Sequence, residues 1–387
     1  MKGGGRGGRA GGMAGGPAEG AAAEPFGVAV VGCGNISKQY LPNLAKFPDV
    51  RVLFCADVDA GRAKAQASAY DVPAWGSLQQ ALDHPGVQLV VNLTIPAAHA
   101  EVASAAIAAG KHVWNEKPLA PDTAAGRALL DQAAAAGVRV GCAPDTILGA
   151  SLQSARRMIA SGAIGAPLSV LSLLQGPGPE SWHPDPEFLF APGAGPLFDL
   201  GPYYLALLGM LFGPATRVAA VGRRARDTRV IGSGPRAGTE FSVEVPTYTS
   251  ALVEYAAGQT ASLLFSWDSP LRRSGFVEIT GTDATLAVPD PNQFDGVLRV
   301  CRAGDEDWTA VAAQGAAAGR GSGVVDMVRA IASGEPHRAS GELALHVLEL
   351  MTAIERSASS GAFEPVESVF DVPDALAVEW DPYVRGA

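Results

Sequence analysis

Three short segments carry the side chains best suited to chemistry. In Asn115-Glu116-Lys117-Pro118 two opposite charges end the apolar run that starts at His112. Charges at the end of a buried strand are costly unless they meet a ligand or each other. Lys117, its backbone restricted by the proline after it, is placed to hydrogen-bond a substrate hydroxyl and the nicotinamide side of a cofactor; the alternative is a surface ion pair. In Gly32-Cys33-Gly34-Asn35-Ile36-Ser37 a glycine turn follows the small apolar run Gly27-Val-Ala-Val-Val. Gly32 permits the tight turn, Gly34 lets a pyrophosphate approach the backbone, and the start of the next helix, around Asn35 and Ile36, offers free N–H groups. Ser37 stands where a third glycine is usual, so the fingerprint is imperfect. The third segment ends in Asp57, 25 positions after Gly32. A carboxylate there accepts both hydroxyls of an adenosine ribose and repels a 2′-phosphate, which favours NAD over NADP, with Arg62 close enough to leave some NADP tolerance. Asp57 is otherwise a turn residue at the start of a loop.

Weaker candidates surround these. Thr94 and Pro96 follow the run Val90 to Leu93 and are expected to shape the pocket near the cofactor, with His99 either beside them in the pocket or at a helix start, satisfied by backbone. Trp182 and His183 lie in a Pro- and Gly-rich loop of the kind that covers a pocket, the indole offering an apolar platform for a sugar face. Asp145 is a further candidate substrate contact.

The elements that must position these residues alternate at first. Strands are expected at Phe26–Val31, Arg51–Ala56, Leu89–Leu93, His112–Asn115 and Val138–Cys142. Helices are expected at about Asn35–Phe47, Ala60–Tyr70, Leu78–Leu82, Ala98–Ala109 and Thr123–Ala135. Strands and helices at this spacing imply a parallel sheet covered on both faces. After about Asp145 the rhythm is lost. A helix, Ser151–Ser161, precedes strands near Leu168–Leu174, Val218–Gly222, Thr249–Ala256, Thr260–Trp267 and Gly275–Thr280, and Glu342–Ser357 closes the chain as a helix. Alternation of apolar and polar residues in these strands suits an antiparallel sheet with one covered face. The expected fold is an α/β Rossmann domain over residues 26–144, then an α+β domain with a large, mostly antiparallel sheet over residues 145–387.

Composition bounds the rest. A chain of 387 residues suits two cores. A formal charge of -10 without a basic run argues against nucleic acid and anionic membranes as partners. Four scattered cysteines suggest neither a zinc site nor a disulfide framework, so no metal is expected and a reducing cytoplasm fits. The apolar runs, such as Val87 to Ile95, read as strand-sized. Residues 1–25, almost all Gly and Ala with a few Arg, read as a disordered extension.

Taken in order, Gly27-Val-Ala-Val-Val-Gly-Cys-Gly, Asp57, Ala109-Gly-Lys-His-Val-Trp-Asn-Glu-Lys-Pro118 and Gly193-Ala-Gly-Pro-Leu-Phe-Asp-Leu-Gly-Pro-Tyr203 resemble the Gfo/Idh/MocA oxidoreductase family, named for glucose-fructose oxidoreductase and inositol dehydrogenase. The resemblance runs from about Phe26 to the C-terminus. It implies an NAD-dependent oxidation of a secondary alcohol on a sugar, sugar derivative or cyclitol, in a homo-oligomer. It also implies that Glu116 and Lys117 sit at the nicotinamide and that Asp199 reaches the reacting hydroxyl. The family's usual histidine position holds Tyr203. A phenol with a pKa near 10 is a poor base at neutral pH, so Lys117 is expected to favour the Tyr203 phenolate and share the proton relay. Tyr204 is a further substrate-side candidate; alternatively both tyrosines are core aromatics. Two rival functions fit the same residues: a redox-neutral lyase or glycosidase that uses NAD transiently, and a non-catalytic NAD or sugar sensor.

Overall fold

The computed structural model describes residue 4 and residues 24–386, and the expected disordered extension lies almost wholly outside them. Strands β1 (Phe26–Val31), β2 (Val50–Ala56), β3 (Ala74–Gly76), β4 (Leu89–Asn92), β5 (His112–Asn115) and β6 (Val140–Cys142) form one parallel sheet in the order β3-β2-β1-β4-β5-β6. Val28 to Val31 and Leu89 to Asn92 are buried without a break, as strands covered on both faces must be. Helices α1 (Ser37–Leu44), α2 (Ala60–Ala69), α3 (Leu78–Asp83), α4 (His99–Ala108) and α5 (Thr123–Ala136) make the crossovers. Strand order reverses between β1 and β4, and ligands bind in the crevice at such a switch point. The first helix is shorter than expected and runs through Pro42, whose missing N–H removes one bond to the preceding turn.

The second sheet has nine strands in the order β16-β15-β14-β13-β7-β12-β11-β8-β17. Its members are β7 (Pro167–Pro177), β8 (Ala215–Arg223), β11 (Tyr248–Tyr255), β12 (Thr260–Ser266), β13 (Asp268–Gly281), β14 (Ala284–Val288), β15 (Leu298–Arg302), β16 (Thr309–Val311) and β17 (Glu364–Pro365). Only β7 and β12 pair in parallel; the other ladders are antiparallel. A separate two-stranded ladder joins β9 (Thr228–Val230) to β10 (Glu240–Ser242). Along β11, Thr249, Ala251, Val253 and Tyr255 are buried while Leu252 is exposed, the alternation of a sheet covered on one face.

Helices α6 (Ala150–Ala160), α7 (Gly195–Phe212), α8 (Ser322–Ser333) and α9 (Gly341–Ser360) complete the chain. Helix α9 packs on α5 and β6 of the first sheet and on α7 and β8 of the second, joining the two halves. Helix α7 escaped the sequence reading because Gly195, Gly201 and Pro202 disguise it. By length and composition it is apolar enough to cross a membrane, the one such helix among the described residues. It is 78% buried, a core helix apolar on all sides. Nor does the chain close on α9 as expected. The tail after β17 runs past α6 and the segment between α8 and α9, where Arg157 and Arg338 donate to the carbonyls of Leu376 and Asp374, side-chain contacts that no periodicity reports.

Candidate active site

The C-terminal edge of the parallel sheet gathers the residues singled out above. Gly32 leaves β1 with φ +94°, and a Cβ there would lie 2.6 Å from the Leu93 carbonyl carbon and the Thr94 nitrogen. Only glycine fits that approach. An added Cβ on Gly34 would meet nothing within 4 Å, so the turn opens onto free space. Ser37, in place of a third glycine, is buried and donates to the Gly34 carbonyl at 2.7 Å, closing the turn from below. Asn35 and Ile36 follow at the start of α1 and face the cleft.

Asp57 ends β2 beside that turn. Its Oδ2 accepts the Cys33 N–H at 2.8 Å, and its Oδ1 accepts the Asp59 N–H at 2.8 Å and the Arg62 guanidinium at 3.0 Å. Burial pushes the carboxyl up, but the two N–H groups and Arg62 outweigh it and hold Asp57 below the usual carboxylate range. An open glycine turn with an ionised carboxylate beside it fits the pyrophosphate and ribose of a dinucleotide.

The next strand ends are tied together by side chains. Thr94 Oγ1 donates to Asn92 Oδ1 at 2.6 Å, and Asn92 Nδ2 donates to Asn115 Oδ1 at 2.7 Å. His99, 1% exposed, has Nδ1 2.7 Å from the Pro118 carbonyl and Nε2 3.1 Å from the Thr94 carbonyl. Both ring nitrogens are thus committed to backbone. The ring thereby staples the loops after β4 and β5, and His99 lines the cleft together with Thr94 and Pro96.

Glu116 and Lys117 do not pair with each other through their side chains. Glu116 Oε1 accepts the Tyr40 hydroxyl at 2.7 Å and Oε2 accepts the Lys117 backbone N–H at 3.0 Å. The Lys117 ammonium crosses to α7, donating to the Asp199 carbonyl at 2.7 Å and to Asp199 Oδ1 at 3.0 Å. Burial works against the Lys117 charge, but Asp199, Tyr203 and Glu116 overcome it and raise its pKa.

Tyr203 lies one turn along α7 from Asp199, since i and i+4 share a helix face. The Lys117 ammonium sits over its ring, 5.6 Å from the centroid, rather than at its oxygen. Burial pushes the phenol above its ordinary value, and the charges of Arg320 and Lys117 only partly offset this. Burial thus works against the expected phenolate and favours the neutral phenol. Arg320 donates to its oxygen at 3.2 Å, and a guanidinium has no acceptor to offer in return. Among the described residues no protein group takes the Tyr203 O–H, which leaves that proton for the cleft.

Two substrate-side expectations are corrected. Asp145 is wholly buried: its Oδ2 accepts the N–H groups of Gly321 at 2.7 Å and Gly323 at 3.3 Å, and Oδ1 lies 3.5 Å from Arg320. It shapes the loop before α8. Tyr204 points into the core, ring-to-edge on Phe265, with its oxygen accepting the Gly275 N–H at 3.0 Å. Trp182 and His183 do face the cleft, Trp182 62% exposed and the His183 ring stacked edgewise between Trp182 and Phe188. Their loop is anchored by Arg229, which is buried over Phe190 and donates to the carboxylates of Glu180 and Asp268 and to the Trp267 carbonyl. Arg229 and Arg320 were not foreseen. The only signal for Arg320 is a lone charge in Gly319-Arg320-Gly321.

The resulting cleft has a volume of about 1040 Å³ and runs from Asn35 and Ile36 past Lys117 and Asp199 to the Trp182 loop. Within it Lys117, Asp199 and Tyr203 bring together a lysine ammonium, a carboxylate and a phenol O–H, a set able to hydrogen-bond one oxygen and move its proton.

Comparison with known proteins places this geometry. Residues 26–143 match the profile of an oxidoreductase family with an NAD-binding Rossmann fold, and residues 152–287 match the GFO/IDH/MocA C-terminal domain. The chain is 27% identical over 268 residues to trans-1,2-dihydrobenzene-1,2-diol dehydrogenase of Sus scrofa, covering 68% of this chain and 73% of that one. It is 28% identical over 353 residues to an uncharacterized oxidoreductase of Rhizobium meliloti, covering 87% and 98%. The solved structure of levoglucosan dehydrogenase in complex with NADH and L-sorbose shares the fold at a TM-score of 0.77, 23% identity, and 90% and 100% coverage. The two family profiles take in the parallel sheet, most of the large sheet and the site residues Gly32, Asp57, Lys117, Asp199 and Tyr203, and the chain belongs to the Gfo/Idh/MocA family of NAD-binding oxidoreductases.

Proposed function

We propose that this chain is an NAD-dependent dehydrogenase of a secondary alcohol on a sugar, sugar derivative or cyclitol. The observation that carries this is the meeting of Lys117, Asp199 and Tyr203 at the switch-point crevice, beside the glycine turn and Asp57. Relatives named for dehydrogenation of a cyclic diol and of levoglucosan support the substrate class.

Gly32, Gly34, Asn35 and Ile36 hold the pyrophosphate, Asp57 the adenosine ribose, and Thr94, Pro96 and Glu116 border the nicotinamide. NAD, when bound, supplies the hydride acceptor for the carbinol carbon. The Lys117 ammonium and the Tyr203 O–H hydrogen-bond the reacting oxygen. Asp199 Oδ1, 3.0 Å away, first takes one of the ammonium's protons, and the Lys117 amine so freed accepts the alcohol's proton as the hydride leaves the carbinol carbon. The reverse reaction runs the same transfer backwards. Trp182 and His183 line the substrate end.

Residues 26–144 serve as the cofactor domain and residues 145–387 as the substrate domain. The outer face of the large sheet, where Leu168, Leu171, Val221 and Leu252 are exposed, offers the contact for a homo-oligomer. Three buried free cysteines, Cys33, Cys55 and Cys142, suit a reducing cytoplasm.

The test is NADH formation, followed by its absorbance, from NAD and a panel of inositols, aldoses and glycosides, repeated with Lys117→Ala. Lysine-dependent NADH formation is the expected result. NAD binding without any NADH would transfer the assignment to redox-neutral chemistry or sensing.

A further inference from the structure

The protein carries a net charge of -10, yet the ionisable side chains that line its cleft have the opposite bias. Lys117, Arg272 and Arg320 face only two carboxylates, Glu116 and Asp199. Both carboxylates already accept protein donors: Glu116 from Tyr40 and the Lys117 N–H, Asp199 from the Lys117 ammonium. No described carboxylate lies within ion-pair distance of Arg272, which is exposed on the cleft wall. Arg320 has one, Asp145, at 3.5 Å and spending its second oxygen on backbone N–H groups.

The two arginines stand on one continuous wall. Arg272 lines the cleft from the stretch of β13 that loses register with β7, between Asp268 and Arg273. Tyr204 holds the Gly275 N–H a few residues on, and the loop after β14 follows, with Asn292 accepting from Arg320 at 3.3 Å. Arg320 in turn holds the Tyr203 hydroxyl, so the wall reaches the reacting centre. An excess of cations in a cleft with low-dielectric walls focuses the field inward and draws anions past an acidic exterior. Arginine is suited to the planar, two-toothed recognition of carboxylate and phosphate.

We infer that the substrate is an acidic polyol, a sugar or cyclitol bearing a carboxylate or phosphate, whose anionic group binds Arg272 with Arg320 behind it. This deepens the proposed function and rests on it for the identity of the polyol, but binding tests it separately from turnover.

The experiment is calorimetric titration of the NAD-loaded full chain with D-glucuronate, D-glucose and inorganic sulfate, repeated with Arg272→Met and Arg272→Lys. Glucuronate is expected to bind about tenfold or more tightly than glucose, the gain of a hydrogen-bonded charge pair. Arg272→Met is expected to bring the two within a few-fold and to abolish sulfate binding, with partial recovery in Arg272→Lys. Should neither sugar bind, sulfate binding that is lost in Arg272→Met still supports the anion site. Equal binding of the two sugars, a preference unchanged in Arg272→Met, or no binding of either glucuronate or sulfate overturns it. A failed NADH assay with intact glucuronate preference would sink the dehydrogenase and leave the anion site standing.

Discussion

The two sides of the cleft are built differently. On the cofactor side the contacts are short in sequence or join neighbouring strands of one sheet: Ser37 to Gly34, Asp57 to Cys33, Arg62 to Asp57. On the substrate side they span the chain. Lys117 meets Asp199 across 82 positions, Arg320 meets Tyr203 across 117, and Gly321 meets Asp145 across 176. A local turn is specified by its own few residues and survives changes elsewhere in the fold. A site closed by distant segments depends on how two sheets pack, and its residue types drift without altering any local pattern. The glycine turn is accordingly readable from its own residues, whereas Tyr203 and Arg320 meet on the cleft wall only through packing.

Lys117 belongs to both sides, so its loss breaks the comparison most sharply. Lys117→Ala should lower kcat by about 10²–10⁴-fold, while NAD affinity, read by protein fluorescence, changes far less. A parallel collapse of both would mean that the lysine holds the cofactor rather than the proton.

Arg229→Met should damage the substrate side alone. It leaves Glu180 and Asp268 without their cation in a buried setting, which costs about 3–5 kcal/mol. The expected outcome is a lower Tm and a raised substrate KM with NAD affinity preserved. If NAD binding fell equally, the two sides would be one cooperative unit.

A smaller effect is expected from Tyr203→Phe, about tenfold in kcat/KM, or about 1.4 kcal/mol for one hydrogen bond to the reacting oxygen and one donor of Arg320 left without a partner. A loss of a thousandfold would instead make the phenol the proton carrier.

The mildest change is on the cofactor side. Asp57→Asn should erode the preference for NAD over NADP, measured as the ratio of kcat/KM values, and alter the acid limb of stability. Because the folded Asp57 carboxyl lies below its usual range, its contribution is complete above the unfolded carboxyl pKa of about 3.9. It is lost as pH falls from there through the depressed folded value. The asparagine variant should lack that part of the decline in Tm on acidification.

Much of the first domain was legible because each signal there is local. Burial on both faces writes β1 and β4 as unbroken apolar runs, and the turn at Gly32 needs a residue without a Cβ. Helix α7 was not legible, although it carries Asp199 and Tyr203, because Gly201 and Pro202 read as breakers until packing on α9 and the sheet compensates them. Asp145 and Tyr204 looked like pocket residues because a lone polar side chain in an apolar stretch gives no sign of which way it faces.

The amino-acid sequence by itself determined the parallel sheet, the dinucleotide turn with its carboxylate, and the presence of Lys117 at a strand end, since all three follow from apolar runs and turn residues read in order along the chain. Only the tertiary structure decided that Lys117 turns to Asp199, that Arg320 donates to the buried Tyr203 hydroxyl, and that lysine and arginine outnumber carboxylates along the cleft of an acidic protein. Those outcomes depend on burial and on charges brought together from distant segments, and neither quantity exists until the chain has folded.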